Sequence, residues 1–344
     1  MSKILITGAA GFIGSQLLHR LVKDGNDVIG IDNFSYGHDD NLEFEDGNYK
    51  EYVLKIDIRD KETLDELFKE HQFDYVYNIA GIAPLPDCQS NPTEAVDVNV
   101  NGFVNILELS RRYGVKTVIQ ASTNAMYENE ISFPCREDFR ELPTLIYPNT
   151  KYCAERFGQS YADTYGMNVC CVRFANVYGP HVDCLRKQPP FVGYVIRELY
   201  YNRTPIFHSD GNQSRDYVYI DDLVQLLINV QACKGFDTVN CSSNKTYSVN
   251  HIYNIVLNIM NKNIAAAYTG ADNYWKKYPE LYEGAYKIKE EILEHEVNKY
   301  SLCDNGYAGS KYYWIPQVDI EEGMRRMIEY QVALFDKLEG KTNE

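Results

Sequence analysis

The sequence predicts an α/β protein: a doubly wound parallel sheet with a smaller mixed α/β lobe beside it. Three observations carry that prediction. Apolar, β-branched runs alternate with segments of helical apolar spacing from residue 3 to residue 121, the pattern of repeated strand–helix–strand units whose crossovers make the strands parallel. The first unit joins strand to helix through a glycine turn with no spare residue. The 344 residues, 44% of them hydrophobic, suffice for one large domain with a second lobe and need no metal or disulfide to hold a core.

The first strand is Ile4-Leu5-Ile6-Thr7, and Ser15 to Val22 has apolar residues at helical spacing. Between them lies Gly8-Ala9-Ala10-Gly11-Phe12-Ile13-Gly14. Glycine at 8 and 11 lets the backbone turn sharply and approach a pyrophosphate. Gly14 lets the helix lie tight against the strand, and the helix N-terminus faces the phosphate charge. Three glycines in a loop are by themselves ordinary turn chemistry. Here a second strand, Asp27 to Ile31, ends in Asp32, eighteen residues past Gly14, where a carboxylate receives the ribose hydroxyls of an adenosine. The unit is therefore Rossmann-type. Asp32 repels a 2′-phosphate and no Arg or Lys within a few residues neutralises one, so the expected cofactor is NAD. The plainer alternative is that Asp32 only ends a strand.

A polar loop, Asn33 to Gly47, precedes a strand over 51–56 that leads into Asp57-Ile58. Residues 61–70 place Leu64, Leu67 and Phe68 on one helical face. Tyr75 to Ile79 reads as a strand running into Ala80-Gly81; a helix is expected from about Pro92 to Tyr113, then a strand over 118–121. Ligands of such sheets gather at the carboxyl ends of the strands, so the loops after residues 6, 31, 56, 79 and 121 are the candidate site.

A helix beginning near Tyr147 carries the candidate chemistry. Tyr147 and Lys151 are four apart and share a face. A phenol titrates near 10, too high for a base at neutral pH; an ammonium one turn away favours phenolate, as does the charge of oxidised nicotinamide. The lysine can also hydrogen-bond a ribose hydroxyl. Tyr-x-x-x-Lys arises by chance in many helices, more easily with 29 tyrosines in the chain. It gains meaning beside the glycine turn and the hydroxyls of Ser122-Thr123, although a threonine can simply end a strand.

The formal net charge of −15 argues against sequence-independent binding to nucleic acid or an anionic membrane. The nine cysteines include no C-x-x-C pair, and Cys170-Cys171 sit in an apolar run, which predicts buried free thiols, a reducing cytoplasmic setting and no structural zinc or other metal. The chain enters its first strand by residue 3 and has no eighteen-residue apolar stretch, so neither a cleavable signal nor a membrane span is expected.

On these residues the sequence resembles the extended short-chain dehydrogenase/reductases, specifically the NAD-dependent nucleotide-sugar epimerases and dehydratases, over almost the whole chain. The resemblance places the cofactor on Gly8, Gly11, Phe12, Ile13, Gly14, Asp32 and Asn33, with Asp57 and Ile58 flanking the adenine. It adds Ala80, Gly81, Asn99, Ala121 and Ala175 as further cofactor contacts. Thr123, Tyr147 and Lys151 fall on the family's catalytic triad, the latter two also on the cofactor. Thr123, Asn124, Asn176, Pro190 and Arg215 are implied on the substrate, Asn176 and Arg215 on its diphosphate, where a guanidinium makes paired hydrogen bonds. The segments 173–180 and 210–222, and the ending from Trp314 to Gly323, match as well. Two lobes follow from the resemblance: residues 1–178 with about 216–245 for NAD, and 179–215 with 246–344 for the nucleotide-sugar. A homodimer through helices near 92–113 and 147–163 is implied in the same way.

Asn78 stands where the family often has histidine, and Glu128 where glycine is usual. Pro84 to Gln89 is unfamiliar and is expected to border the sugar. Residues 272–300 are longer and more charged than the family pattern, and the helical run 287–297 reads as a solvated face, or else a flap or oligomer contact. The resemblance offers three fates for an oxidised sugar: inversion, elimination of water, or decarboxylation. The last two use carboxyl groups just after the catalytic threonine, where this chain has Asn124 and Ala125. Epimerisation therefore leads, with C4 of a UDP-hexose first. Thr123-Asn124 followed by Tyr127 also resembles the CDP-tyvelose 2-epimerases, which keeps C2 open. A catalytically silent NAD-binding regulator and an NADP-dependent reductase are the other readings; the first conflicts with the retained Tyr147 and Lys151, the second with Asp32.

Overall fold

The computed structural model describes residues 1–139, 141–186 and 189–340. Seven parallel strands lie in the order Phe236–Cys241, Val169–Phe174, Thr117–Thr123, Tyr75–Asn78, Lys3–Thr7, Asp27–Asp32, Val53–Lys55. The order turns back on itself on either side of the first strand, whose Thr7 is paired with Ile31 on one side and Asn78 on the other. That reversal opens the ligand crevice at the carboxyl ends.

Alternation along the buried strands builds two cores, one on each face. Ile4 and Ile6 pack with Leu17, Leu18 and Leu21 of the helix Phe12–Lys23 and with Leu223 and Leu227 of the helix Ile220–Asn229. Leu5 and Val118 face the other way, onto Leu64 and Phe68 of the helix Lys61–His71 and Phe103 and Ile106 of the helix Phe103–Tyr113. Each such side chain contributes roughly 1.5–3 kcal/mol by leaving water. The expected strand over 51–56 shrinks to Val53–Lys55, because Lys50–Tyr52 forms a 3₁₀ turn. The expected helix from Pro92 to Tyr113 is three pieces: Pro92–Val96, a wide π-helical turn over Asp97–Gly102, and Phe103–Tyr113. The wide turn presents Asn99 inward, and at Gly102 a Cβ would come within 2.5 Å of Ile58.

A three-stranded mixed sheet stands beside the large one. Its centre, Ser214–Tyr219, runs parallel to Asn176–Tyr178 and antiparallel to Thr246–Ser248. The long helix Ile320–Leu338 packs near it, starting at Asp319, whose carboxylate accepts from the N–H groups of Glu321 and Glu322. Trp275, Tyr278, Leu281 and Leu293 make a separate small core within 272–300. All nine cysteines are free, with Cys170 and Cys171 fully buried, and no described helix is long and apolar enough to cross a membrane.

Candidate active site

The glycine turn is built by contact. Gly8 has φ +69°, and a Cβ there would lie 2.8 Å from the Ala80 nitrogen. At Gly14 a Cβ would lie 2.0 Å from the Gly8 carbonyl oxygen, so the close approach is between helix and turn, not helix and strand as the spacing suggested. No side chain caps the helix that begins at Phe12, which leaves the first-turn N–H groups for an anion. Asp32, buried at the end of its strand, accepts from the N–H groups of Ala10 (3.0 Å) and Phe34 (2.7 Å). Burial pushes its carboxyl up and those two bonds pull it back. Asn33 donates to Asp57 at 2.8 Å, and the Arg59 guanidinium beside Asp57 holds that carboxyl well below the usual range. Ala80 donates its N–H to the Thr7 hydroxyl (3.1 Å), and Thr7 in turn donates to Asn78 (2.7 Å), which donates to Gln120 (2.7 Å). Asn99 clamps the loop beyond Gly81 by accepting from the Ile82 N–H (2.8 Å) and donating to the Ile82 carbonyl and to Thr150, both at 3.0 Å. An uncapped helix end, a turn that admits no Cβ and a strand-end carboxylate together fit a dinucleotide.

The substrate and catalytic candidates surround one cavity of about 690 Å³. Its wall includes Thr123, Asn124, Tyr147, Lys151, Asn176, Pro190 and Arg215, with Ile13, Gly81, Ala121 and Ala175 from the cofactor set. The other cofactor candidates (Gly8, Gly11, Phe12, Gly14, Asp32, Asn33, Asp57, Ile58, Ala80 and Asn99) lie outside that wall, along the neighbouring strand ends.

Tyr147 is the second residue of the helix Ile146–Tyr165, and that helix is seated from outside. Glu128 accepts from the Leu145 N–H at 2.9 Å and from the Thr144 N–H, and Gln89 accepts from the Ile146 N–H at 3.2 Å. The unexpected glutamate thus holds the two residues that lead into the helix. Thr123 hydrogen-bonds Tyr147, but burial outweighs it and pushes the phenol up to about 12. Burial likewise pushes Lys151 down to about 8, while its ammonium donates to the Ala121 carbonyl at 3.0 Å. The spacing suggested that the lysine would lower the tyrosine. Instead each group's charged form is opposed by lost water.

Behind the triad runs a buried polar chain that sequence reasoning missed. Ser122 donates to Glu155 (2.7 Å), Glu155 pairs with Arg173 (2.7 Å), Arg173 donates to the Tyr127 hydroxyl (2.9 Å), and Tyr127 donates to Asn240 (2.6 Å). It fixes the strand end that bears Thr123 to the helix that bears Lys151. The only signal was Arg173 within an apolar strand and Glu155 one turn beyond Lys151. Asn176 donates to the Asp216 carbonyl (3.0 Å), and the Arg215 guanidinium meets the carbonyls of Glu296 and Val297 (each 3.1 Å) and of Lys299.

The model of the NAD dependent epimerase/dehydratase family matches residues 4–249. A UDP-glucuronate 4-epimerase of Thermodesulfobacterium geofontis is 30% identical across 96% of each chain, and a putative UDP-glucose 4-epimerase of Methanocaldococcus jannaschii is 30% identical across 95% of this chain and 97% of its own. Among solved structures, UDP-glucose 4-epimerase of Thermotoga maritima with UDP-glucose superposes with a TM-score of 0.85, at 28% identity over 97% of this chain and 99% of that one.

Proposed function

The chain belongs to the NAD-dependent epimerase/dehydratase family of nucleotide-sugar enzymes, and we propose that it inverts C4 of a UDP-hexose by transient oxidation and return of the hydride. The carrying observation is the convergence of Thr123, Tyr147 and Lys151 on a cavity where the two positions after the threonine are Asn124 and Ala125. Asn124 hydrogen-bonds Cys303, and the nearby carboxylate of Glu128 is engaged by the N–H groups of Thr144 and Leu145, which lead into the helix of Tyr147. Elimination and decarboxylation therefore lack a carboxyl group at the two positions after the threonine. The two relatives named above, both 4-epimerases of UDP-sugars by name, support the carbon and the nucleotide.

In this reading Tyr147 takes the proton of the sugar hydroxyl and gives it back, and Thr123 holds that hydroxyl. Bound NAD, along the glycine turn and Asp32, supplies the hydride acceptor and a positive charge that favours phenolate. Lys151 supplies a second charge from the same helix face. Arg215 and Asn176 hold the diphosphate while the sugar turns its other face. Incubation with UDP-, CDP-, GDP- and dTDP-sugars, followed by NMR of the products, tests the proposal. A C4 epimer of a UDP-sugar is expected; a C2 epimer, or a dehydrated or decarboxylated product, would replace it.

A further inference from the structure

Residues 272–300, beyond the matched family segment, contribute Tyr274, Glu296 and Lys299 to the cavity wall and fold around their own small core. That core reaches outside the segment at one place, Leu85, which begins the helix Leu85–Ser90. The same short helix carries Asp87. One oxygen of Asp87 accepts from the hydroxyl of Tyr278, within 272–300, and the other from the hydroxyl of Tyr36 at 2.8 Å. Tyr36 lies in the loop that closes on Asp32: Phe34 donates its N–H to that carboxylate, and a Cβ at Gly37 would lie 2.9 Å from it. A single carboxylate thus ties the loop at the adenosine-ribose acid to the segment that walls the sugar cavity. The far end of the segment is tied by Arg215, at the carbonyls that close the helix Glu290–Asn298. Those carbonyls are the negative end of a helix, which suits a guanidinium.

We propose that 272–300 is a strap that retains the dinucleotide between half-reactions, and that Asp87 is its fastening. An enzyme that must return a hydride to the sugar it came from gains by having one closure over both ligands. Asp87 acts through Tyr36 and Tyr278 as a positioning residue. The inference rests on NAD use and not on which sugar carbon is inverted.

The test is the rate at which NAD leaves purified protein, read as cofactor still bound at timed intervals after desalting and quantified after heat release. Asp87→Ala and Tyr278→Phe should each speed release about tenfold, the loss expected for a charge-assisted hydrogen bond. Tyr278→Phe keeps the buried ring, so the small core survives and a folding defect is not the cause. Activity in saturating NAD should return toward wild type. Release within twofold of wild type in both variants, whatever happens to the melting temperature, overturns the proposal. Wild-type protein that loses its NAD within one desalting passage overturns it too.

Discussion

Tyr147 and Lys151 stand one helical turn apart in a site that disfavours the charged form of each. Tyr147→Phe keeps the ring and removes the hydroxyl proposed to shuttle the proton; NAD should stay bound while kcat falls roughly a hundred- to ten-thousand-fold. Near-normal turnover in that variant would discard the tyrosine's assignment. Lys151 makes a prediction about stability. Its folded pKa near 8 lies below its ordinary 10.5, so between those values the unfolded chain holds the extra proton. Stability from this group therefore rises with pH across that window, and below it the buried ammonium costs on the order of 3 kcal/mol. Lys151→Met should raise the unfolding free energy at pH 7 by up to that amount, read as a higher urea midpoint, while abolishing turnover. An unchanged or lower midpoint would show that the charge is well solvated in place. The meeting of Tyr147 and Lys151 at the cavity was legible because an i, i+4 spacing is something a sequence displays. The direction of the tyrosine's shift was not legible, since it depends on burial.

The elements that hold the triad depend on pairings that no local spacing reveals. Ser122 and Arg173 are neighbours across two strands, and Glu155 reaches both from the helix. Removing one member of a buried pair strands the other, so Glu155→Ala should destabilise by about 3–5 kcal/mol in chemical denaturation, and Glu155→Leu with Arg173→Met together by much less. Losses of the two single variants that simply add in the double variant would show that the two residues are not coupled. A second joint is a run of stacked rings: His19 on Phe44 (centroids 3.9 Å apart), Phe44 on His181 (4.7 Å), and His181 on Tyr330 (4.6 Å). Burial pushes His181 down to about 4, below its ordinary 6.5. The unfolded chain takes up that proton first, so stability is full above 6.5 and falls as pH drops toward 4. His181→Phe should flatten that acid limb, at a cost of about 1 kcal/mol at pH 7 for the lost bond to the Asn41 carbonyl. An unaltered acid limb would place the effect elsewhere. The helix from Pro92 to Tyr113 was legible as a helix, but its wide turn was not, because Asn99 bends it toward a loop seventeen residues away.

At the scale of the molecule, the doubly wound sheet and its crevice followed from alternation, glycine spacing and one strand-end carboxylate, all short-range signals. The contribution of 272–300 did not. Its charge and length set it apart, and its run 287–297 read as a solvated face, a flap or an oligomer contact, yet Leu293 and Glu296 are buried and the chain it closes on, through Asp87 and Arg215, is distant in sequence. Pro84 to Gln89 was expected at the sugar, and Pro84 and Leu85 do line the cavity; Asp87 beside them joins the loop after Asp32 to that segment. Such long-range ties carry no pattern in a single sequence. The whole account requires that one hydride leave the sugar and come back to the same carbon. The direct measurement is turnover in deuterium oxide of the UDP-sugar that the substrate panel identifies, read by NMR at the inverted carbon. The account predicts an epimerised product with no deuterium at that carbon; solvent deuterium there, or a keto-sugar released with one equivalent of reduced cofactor, would contradict it.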